Sequence, residues 1–87
     1  MFTNSTKYTI KAVLYLALNS SVENKIMVKD IAEPINAPQA YIAKLLQELS
    51  RQSIISSTKG PKGGFYLSES DKKIPLRKII NVIDGES

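Results

Sequence analysis

The residues best suited to chemistry lie in one stretch, Lys59-Gly60-Pro61-Lys62-Gly63-Gly64-Phe65-Tyr66-Leu67. Two ammonium groups on a glycine-rich loop can grip phosphates or enter the minor groove of a duplex. The same residues can instead merely permit a turn and keep an edge strand soluble. A nucleotide-binding phosphate loop is excluded: the Gly-x-x-x-x-Gly-Lys-Ser/Thr spacing is absent, and this loop joins two strands rather than a strand and a helix. A second set precedes it: Gln39, Ala40, Tyr41, Ala43 and Lys44. Gln39 can form paired hydrogen bonds to adenine, and Ala40 and Ala43 permit close approach to a thymine methyl. Tyr41 and Lys44 have the reach for phosphates. The plainer alternative is a solvated helix face with one partly buried tyrosine.

Composition narrows the remaining chemistry. The 87 residues include no cysteine, histidine or tryptophan, and carry a formal charge of +4. Disulfides, thiolate metal sites and imidazole bases are therefore impossible within them. With no clustered carboxylates either, the chain reads as a non-enzyme with no small-molecule substrate. The strongest apolar run, residues 12–18, is far short of the ~20 residues of a membrane span, and the polar and basic start does not resemble a leader. A cytoplasmic, mildly basic single domain over residues 1–87 is expected. The charge becomes informative locally: from Pro34 to Ser68 the cations are Lys44, Arg51, Lys59 and Lys62 against Glu48 alone, an excess of +3.

Four helices and a hairpin must position these groups. Thr3, Asn4 and Ser5 are competent caps for a first helix over residues 5–19, whose apolar residues cover most of its surface and predict burial on more than one side. Residues 25–28 are locally β-compatible. Val28, Ile31, Ala32 and Ile35 mark a second helix over residues 28–35, with Pro34 forcing its end. A third helix over residues 38–51 carries the stripe Ile42, Leu45, Leu46 and Leu49, with Pro38 in its first turn. Residues 54–58 and 65–67 predict two strands around a wing at residues 59–64. Residues 68–73 form a polar connection. Pro75 opens a last helix with the stripe Leu76, Ile79, Ile80 and Ile83, stopping at Asp84-Gly85.

This order, mainly α with a small β-hairpin, is that of a winged helix-turn-helix. Ala32 is small where two helices must cross closely. Asn36 tolerates the left-handed backbone of a turn, and Ile42 packs the third helix onto the second.

The stretch Lys59 to Leu67 closely resembles the wing of the IscR/NsrR family of bacterial winged-helix regulators. So do Ser5-Thr6-Lys7-Tyr8-Thr9-Ile10-Lys11-Ala12, Lys29-Asp30-Ile31-Ala32-Glu33, Tyr41-Ile42-Ala43-Lys44-Leu45-Leu46 and Ile79-Ile80-Asn81-Val82-Ile83-Asp84-Gly85. The resemblance implies a homodimeric repressor or activator on the double-stranded DNA of a palindromic operator. It maps the major-groove readers onto Pro38, Gln39, Ala40, Tyr41, Ala43 and Lys44. Lys59 takes the minor-groove position, with Lys62 and Gly63 beside it in the wing, and Lys7 and Tyr8 lie near the DNA backbone. Ala43 stands where many members have glutamate, so base preference does not transfer, and a serine cap usual near Pro38 is missing. Members usually continue beyond the Asp-Gly pair into a dimerisation helix, towards which residues 75–87 lead. Many carry three cysteines there for an iron–sulfur cluster, and no such ligand is present here. A winged-helix protein-interaction module without DNA binding is the competing expectation.

Overall fold

In the computed structural model, residues 4–61 and 63–84 are described, the side chains of Ile83 and Asp84 excepted. Lys62, Thr3 and Gly85 lie outside them. The elements run α1 (Asn4–Asn19), α2 (Val28–Ala32), α3 (Gln39–Arg51), β1 (Ser56–Thr58), β2 (Gly64–Tyr66), a 3-10 turn (Asp71–Lys73) and α4 (Leu76–Asp84). The two strands pair antiparallel, Ser57 opposite Phe65. The mainly helical winged architecture is as expected.

The core collects one face of every helix. Ala12, Leu16, Ile31, Ile42, Leu46 and Leu49 are fully enclosed, with Ile54, Ile55, Leu67 and Ile79 beside them. The apolar stripe of α3 is buried along its length: Ile42, Leu45, Leu46 and Leu49 all face inward. Non-directional burial of this kind supplies the main stabilisation of a small domain.

Several boundaries differ from the sequence reading. The second helix closes its α-helical bonding at Ala32, not at residue 35. The next four residues form a Schellman turn: Ala37 N–H donates to Ala32 O at 3.1 Å, Asn36 N–H donates to Glu33 O at 3.0 Å, and Asn36 sits at φ 55°. Pro34, lacking an N–H, could not have continued the α-helical ladder. Pro38 is the N-cap of α3 and not its first-turn residue. Its backbone is extended, it offers no side-chain cap, and its carbonyl accepts the first helical bond from Ile42.

The strands are shorter and shifted. Ile54 and Ile55 are core residues ahead of β1, because α3 ends in a second Schellman turn. There Ile54 N–H donates to Leu49 O and Ser53 N–H to Ser50 O, with Ser53 at φ 63°. Leu67 lies just past β2, and its N–H donates to Ser20 Oγ at 3.1 Å. The β-compatible stretch near residue 26 contributes one bridge, in which Ile26 and Phe65 exchange both backbone hydrogen bonds.

Burial of the first helix is one-sided. Leu14 is 55% and Leu18 83% exposed, since α4, α3 and α2 pack on the opposite face only. In the last helix Leu76 is half-exposed, whereas Ile79 is buried and Val82 packs on the core. Of the predicted stripe, Ile79 is buried and Ile80 partly so, Leu76 is not, and the side chain of Ile83 lies outside the described residues; Val82 joins the inward face unpredicted.

Candidate nucleic-acid interface

The HTH corner places the start of α3 outward. Ala32 is 3% exposed and Ile42 fully buried, so the two helices meet at van der Waals range across a small side chain. With Ile42, Leu45 and Leu46 turned inward, helical periodicity leaves Pro38, Gln39, Ala40 and Lys44 exposed and Ala43 partly so. Gln39 and Ala40 occupy the first turn of α3 and are both exposed.

Tyr41 is partly buried on this face. Its hydroxyl donates to Ser5 Oγ at 2.8 Å. Its ring meets Tyr8 edge-on, centroids 5.5 Å apart and planes at 76°. Lys11 Nζ lies 5.8 Å from the Tyr8 ring centroid. An edge-to-face pair of this geometry adds roughly 0.5–1.5 kcal/mol to burial. Tyr8 and Tyr41 therefore fix α3 against α1, and Lys7 is left exposed on the outer side of α1.

The wing depends on backbone shape. A Cβ at Gly63 would collide with the Thr58 carbonyl oxygen. At Gly64, φ is +156° and a Cβ would come 2.8 Å from Ile26 O, because the Ile26–Phe65 bridge presses on this point. The paired glycines of the motif are thus required by two close backbone approaches. A clasp steadies the base of the hairpin: Ser56 Oγ donates to Asp71 Oδ2 at 2.7 Å, and Ser68 N–H donates to the same oxygen at 3.1 Å. Lys59 is exposed at the start of the loop.

Between the wing and the second half of α3 lies an open cleft of about 480 Å³, lined among others by Gln47, Ser50, Arg51, Ser57, Thr58 and Lys59. Its two walls are tied by a 3.0 Å hydrogen bond between the Ser50 and Ser57 hydroxyls. An adjoining hollow is lined by Lys44, Gln47, Glu48 and Arg51. Arg51 pairs with Glu48, whose other oxygen accepts from Gln52 Nε2 at 3.0 Å. These hydrogen bonds, first from Gln52 and then from Arg51, hold the Glu48 carboxyl below its ordinary value.

Of the predicted site residues, Pro38, Gln39, Ala40, Ala43 and Lys44 lie on the outward side of α3, Tyr8 and Tyr41 form the pair that seats it, Lys7 is exposed on α1, Lys59 and Gly63 belong to the loop beside the cleft, and Lys62 lies outside the described residues. Gln47, Ser50 and Ser57 were not singled out from the sequence, and Arg51 entered only as part of the local charge excess. The 44–47–51 spacing puts the first cations and amide on one helix face, but the pairing of that face with β1 is a tertiary fact.

A small-residue helix crossing, a left-handed asparagine turn, an outward helix and a glycine-built cationic hairpin define a winged helix-turn-helix module. The profile of the Rrf2 family, described as an iron-dependent transcriptional regulator, matches residues 2–87, and the chain belongs to this family. Over 82 residues it is 35% identical to a putative HTH-type transcriptional regulator of Aquifex aeolicus, covering 94% of this chain and 56% of that protein. It is 29% identical to the transcriptional regulator IscR of Escherichia coli over 82 residues, 94% of this chain and 50% of that one. Among solved structures, CymR, the global cysteine regulator of B. subtilis, superposes with a TM-score of 0.84 at 28% identity, over 98% of this chain and 65% of CymR. T. potens IscR gives 0.84 at 25%, over 100% and 63%. The chain spans about half the length of the curated relatives it matches. These relatives are transcriptional regulators and not enzymes, in agreement with the non-enzymatic reading.

The residues present do not fit an iron centre. They include no cysteine or histidine, and the described residues contain no group of three or more potential ligands. No helix among them is long and apolar enough to cross a membrane.

Proposed function

We propose that the chain is the DNA-reading part of a cytoplasmic transcriptional regulator that binds a palindromic operator as a homodimer. In this reading α3 enters the major groove with Gln39, Ala40 and Ala43 against base edges, and Pro38 and Lys44 beside them. The wing carries Lys59, with Lys62 and Gly63, to the minor groove or its phosphates, and Lys7 lies against the backbone. The observation that carries the reading is the outward, small-residue start of α3 on the same module as a cationic wing held by backbone fit. The exposed Leu14 and Leu18 on α1 and Leu76 at the head of α4 support pairing with a second copy, since apolar residues of this size gain by being covered.

A duplex-binding series tests it. Lys59→Ala weakens binding to all sequences, because a groove or phosphate contact is lost. Gln39→Ala relaxes preference at particular base pairs, by about 1–3 kcal/mol per bidentate contact. Wild-type affinity falls steeply with salt as counterions are released. Salt-insensitive binding to a protein, with none to duplex DNA, would replace this reading with the interaction-module one.

A further inference from the structure

The placement of α3 and the wing in different grooves has a geometric consequence. The two grooves of a duplex are separated by a sugar–phosphate strand. A protein holding a helix in one and a hairpin in the other must let that strand pass between them. The space between the second half of α3 and the hairpin is the cleft of about 480 Å³. We infer that a backbone phosphate of the bound duplex is held in this cleft by Arg51, with Gln47, Ser57 and Lys59 around it. The inference rests on the DNA-binding reading and extends it to a contact outside the recognition turn and the wing tip.

The lining has the right chemistry. An amide, hydroxyls, a guanidinium and an ammonium face the space beside Phe65, and no carboxylate lines it. Arg51 is 76% exposed, and Glu48 is the partner of its guanidinium among the described residues. A guanidinium offers five N–H groups in a fixed fork, so most of its donors remain for a phosphate. The Ser50–Ser57 hydrogen bond sets the distance between the cleft walls before DNA arrives.

Glu48 is then a counter-ion rather than a contact. Its carboxylate faces the neighbouring hollow and competes with the incoming phosphate for Arg51. The two residues should therefore act in opposite directions. Arg51→Gln should weaken binding and Glu48→Gln should tighten it, although they are partners in one ion pair.

The test uses the whole chain and a duplex selected from random sequence by the wild type. Affinity is measured by anisotropy against salt for wild type, R51Q and E48Q, with thermal melts as the folding control. R51Q is expected to lose about tenfold, equally on matched and mismatched duplexes, and to lower the salt slope by about 1. E48Q is expected to tighten binding about two- to fivefold. Replacing single phosphates by neutral methylphosphonates should reveal one position that costs the wild type affinity and costs R51Q nothing further. The inference is overturned if R51Q keeps the wild-type salt slope, if E48Q binds no tighter, or if no phosphate shows that coupling. Should Lys59→Ala and Gln39→Ala behave as stated above while R51Q does not, this contact alone is lost. A wild-type chain that ignores duplex DNA overturns both.

Discussion

The corner at Asn36 and the wing at residues 59–64 serve the same proposed ligand, yet they are held by different means. At the corner, Ile31, Ala32, Ile42 and Leu46 are buried, and one left-handed residue joins two helices whose side chains already interlock. At the wing the strands are short: Phe65 packs against the core from one side, and the rest of the hairpin stays in place through backbone contact with Ile26 and the hydroxyl and carboxylate bonds at Ser50, Ser57 and Asp71. Recognition helices can thus be stabilised by volume, whereas a thin hairpin has no interior and must be stabilised by shape at single atoms.

That contrast can be broken at either end. Ile42→Ala removes a fully buried side chain shared by α2 and α3, and should lower global stability by about 2–5 kcal/mol in urea denaturation. Gly64→Ala should be the reverse case. A Cβ forced against Ile26 O at positive φ should cost about 1–3 kcal/mol at the hairpin. Hydrogen exchange at Ile26 and Phe65 should accelerate and duplex binding should fall, with a smaller change in the thermal midpoint than Ile42→Ala gives. Equal loss in both assays would erase the distinction between core-held and shape-held regions.

Smaller effects sharpen it. Ser53 holds a left-handed position that favours glycine, so Ser53→Gly should raise stability by about 1 kcal/mol, seen as a higher thermal midpoint. Asn36→Gly should gain less, since asparagine tolerates that region better than serine. The smallest effect concerns acid. The Glu48 carboxyl is held low by Gln52 and Arg51, so its folded-state pKa lies below the unfolded one. Its contribution is therefore present above the unfolded value and fades as pH falls through the folded value. Glu48→Gln should therefore lower stability slightly at neutral pH and converge on the wild type as pH falls below about 5, which flattens the acid side of the stability curve.

Legibility in the sequence followed the same division. Ala32, Asn36 and Ile42 could be placed because side-chain size, turn tolerance and helical period are local properties. The paired glycines of the wing were visible as a motif, but the reason for them was not: the obstructing atoms belong to Thr58 and to Ile26, nearly forty residues away. The hydrogen bond of Tyr41 to Ser5 was not legible, because that partner lies thirty-six residues earlier. Leu14 and Leu18 were assigned to a core because hydrophobicity alone does not say which face of a helix receives a neighbour. Ile54 and Ile55, which follow the end of α3, were read as strand because serine rarely announces a left-handed turn. The cleft face of Arg51 required the hairpin to be folded back beside it.

Asp71 Oδ2 takes two donors at once, Ser56 Oγ from the hairpin and Ser68 N–H from the chain beyond it. Departure of the hairpin from its seat removes one of these bonds and loosens the other. The Ser68 amide is outside both strands, yet its exchange with solvent deuterium becomes a clock for release of the wing. One backbone proton thus times an event whose moving part lies elsewhere in the molecule.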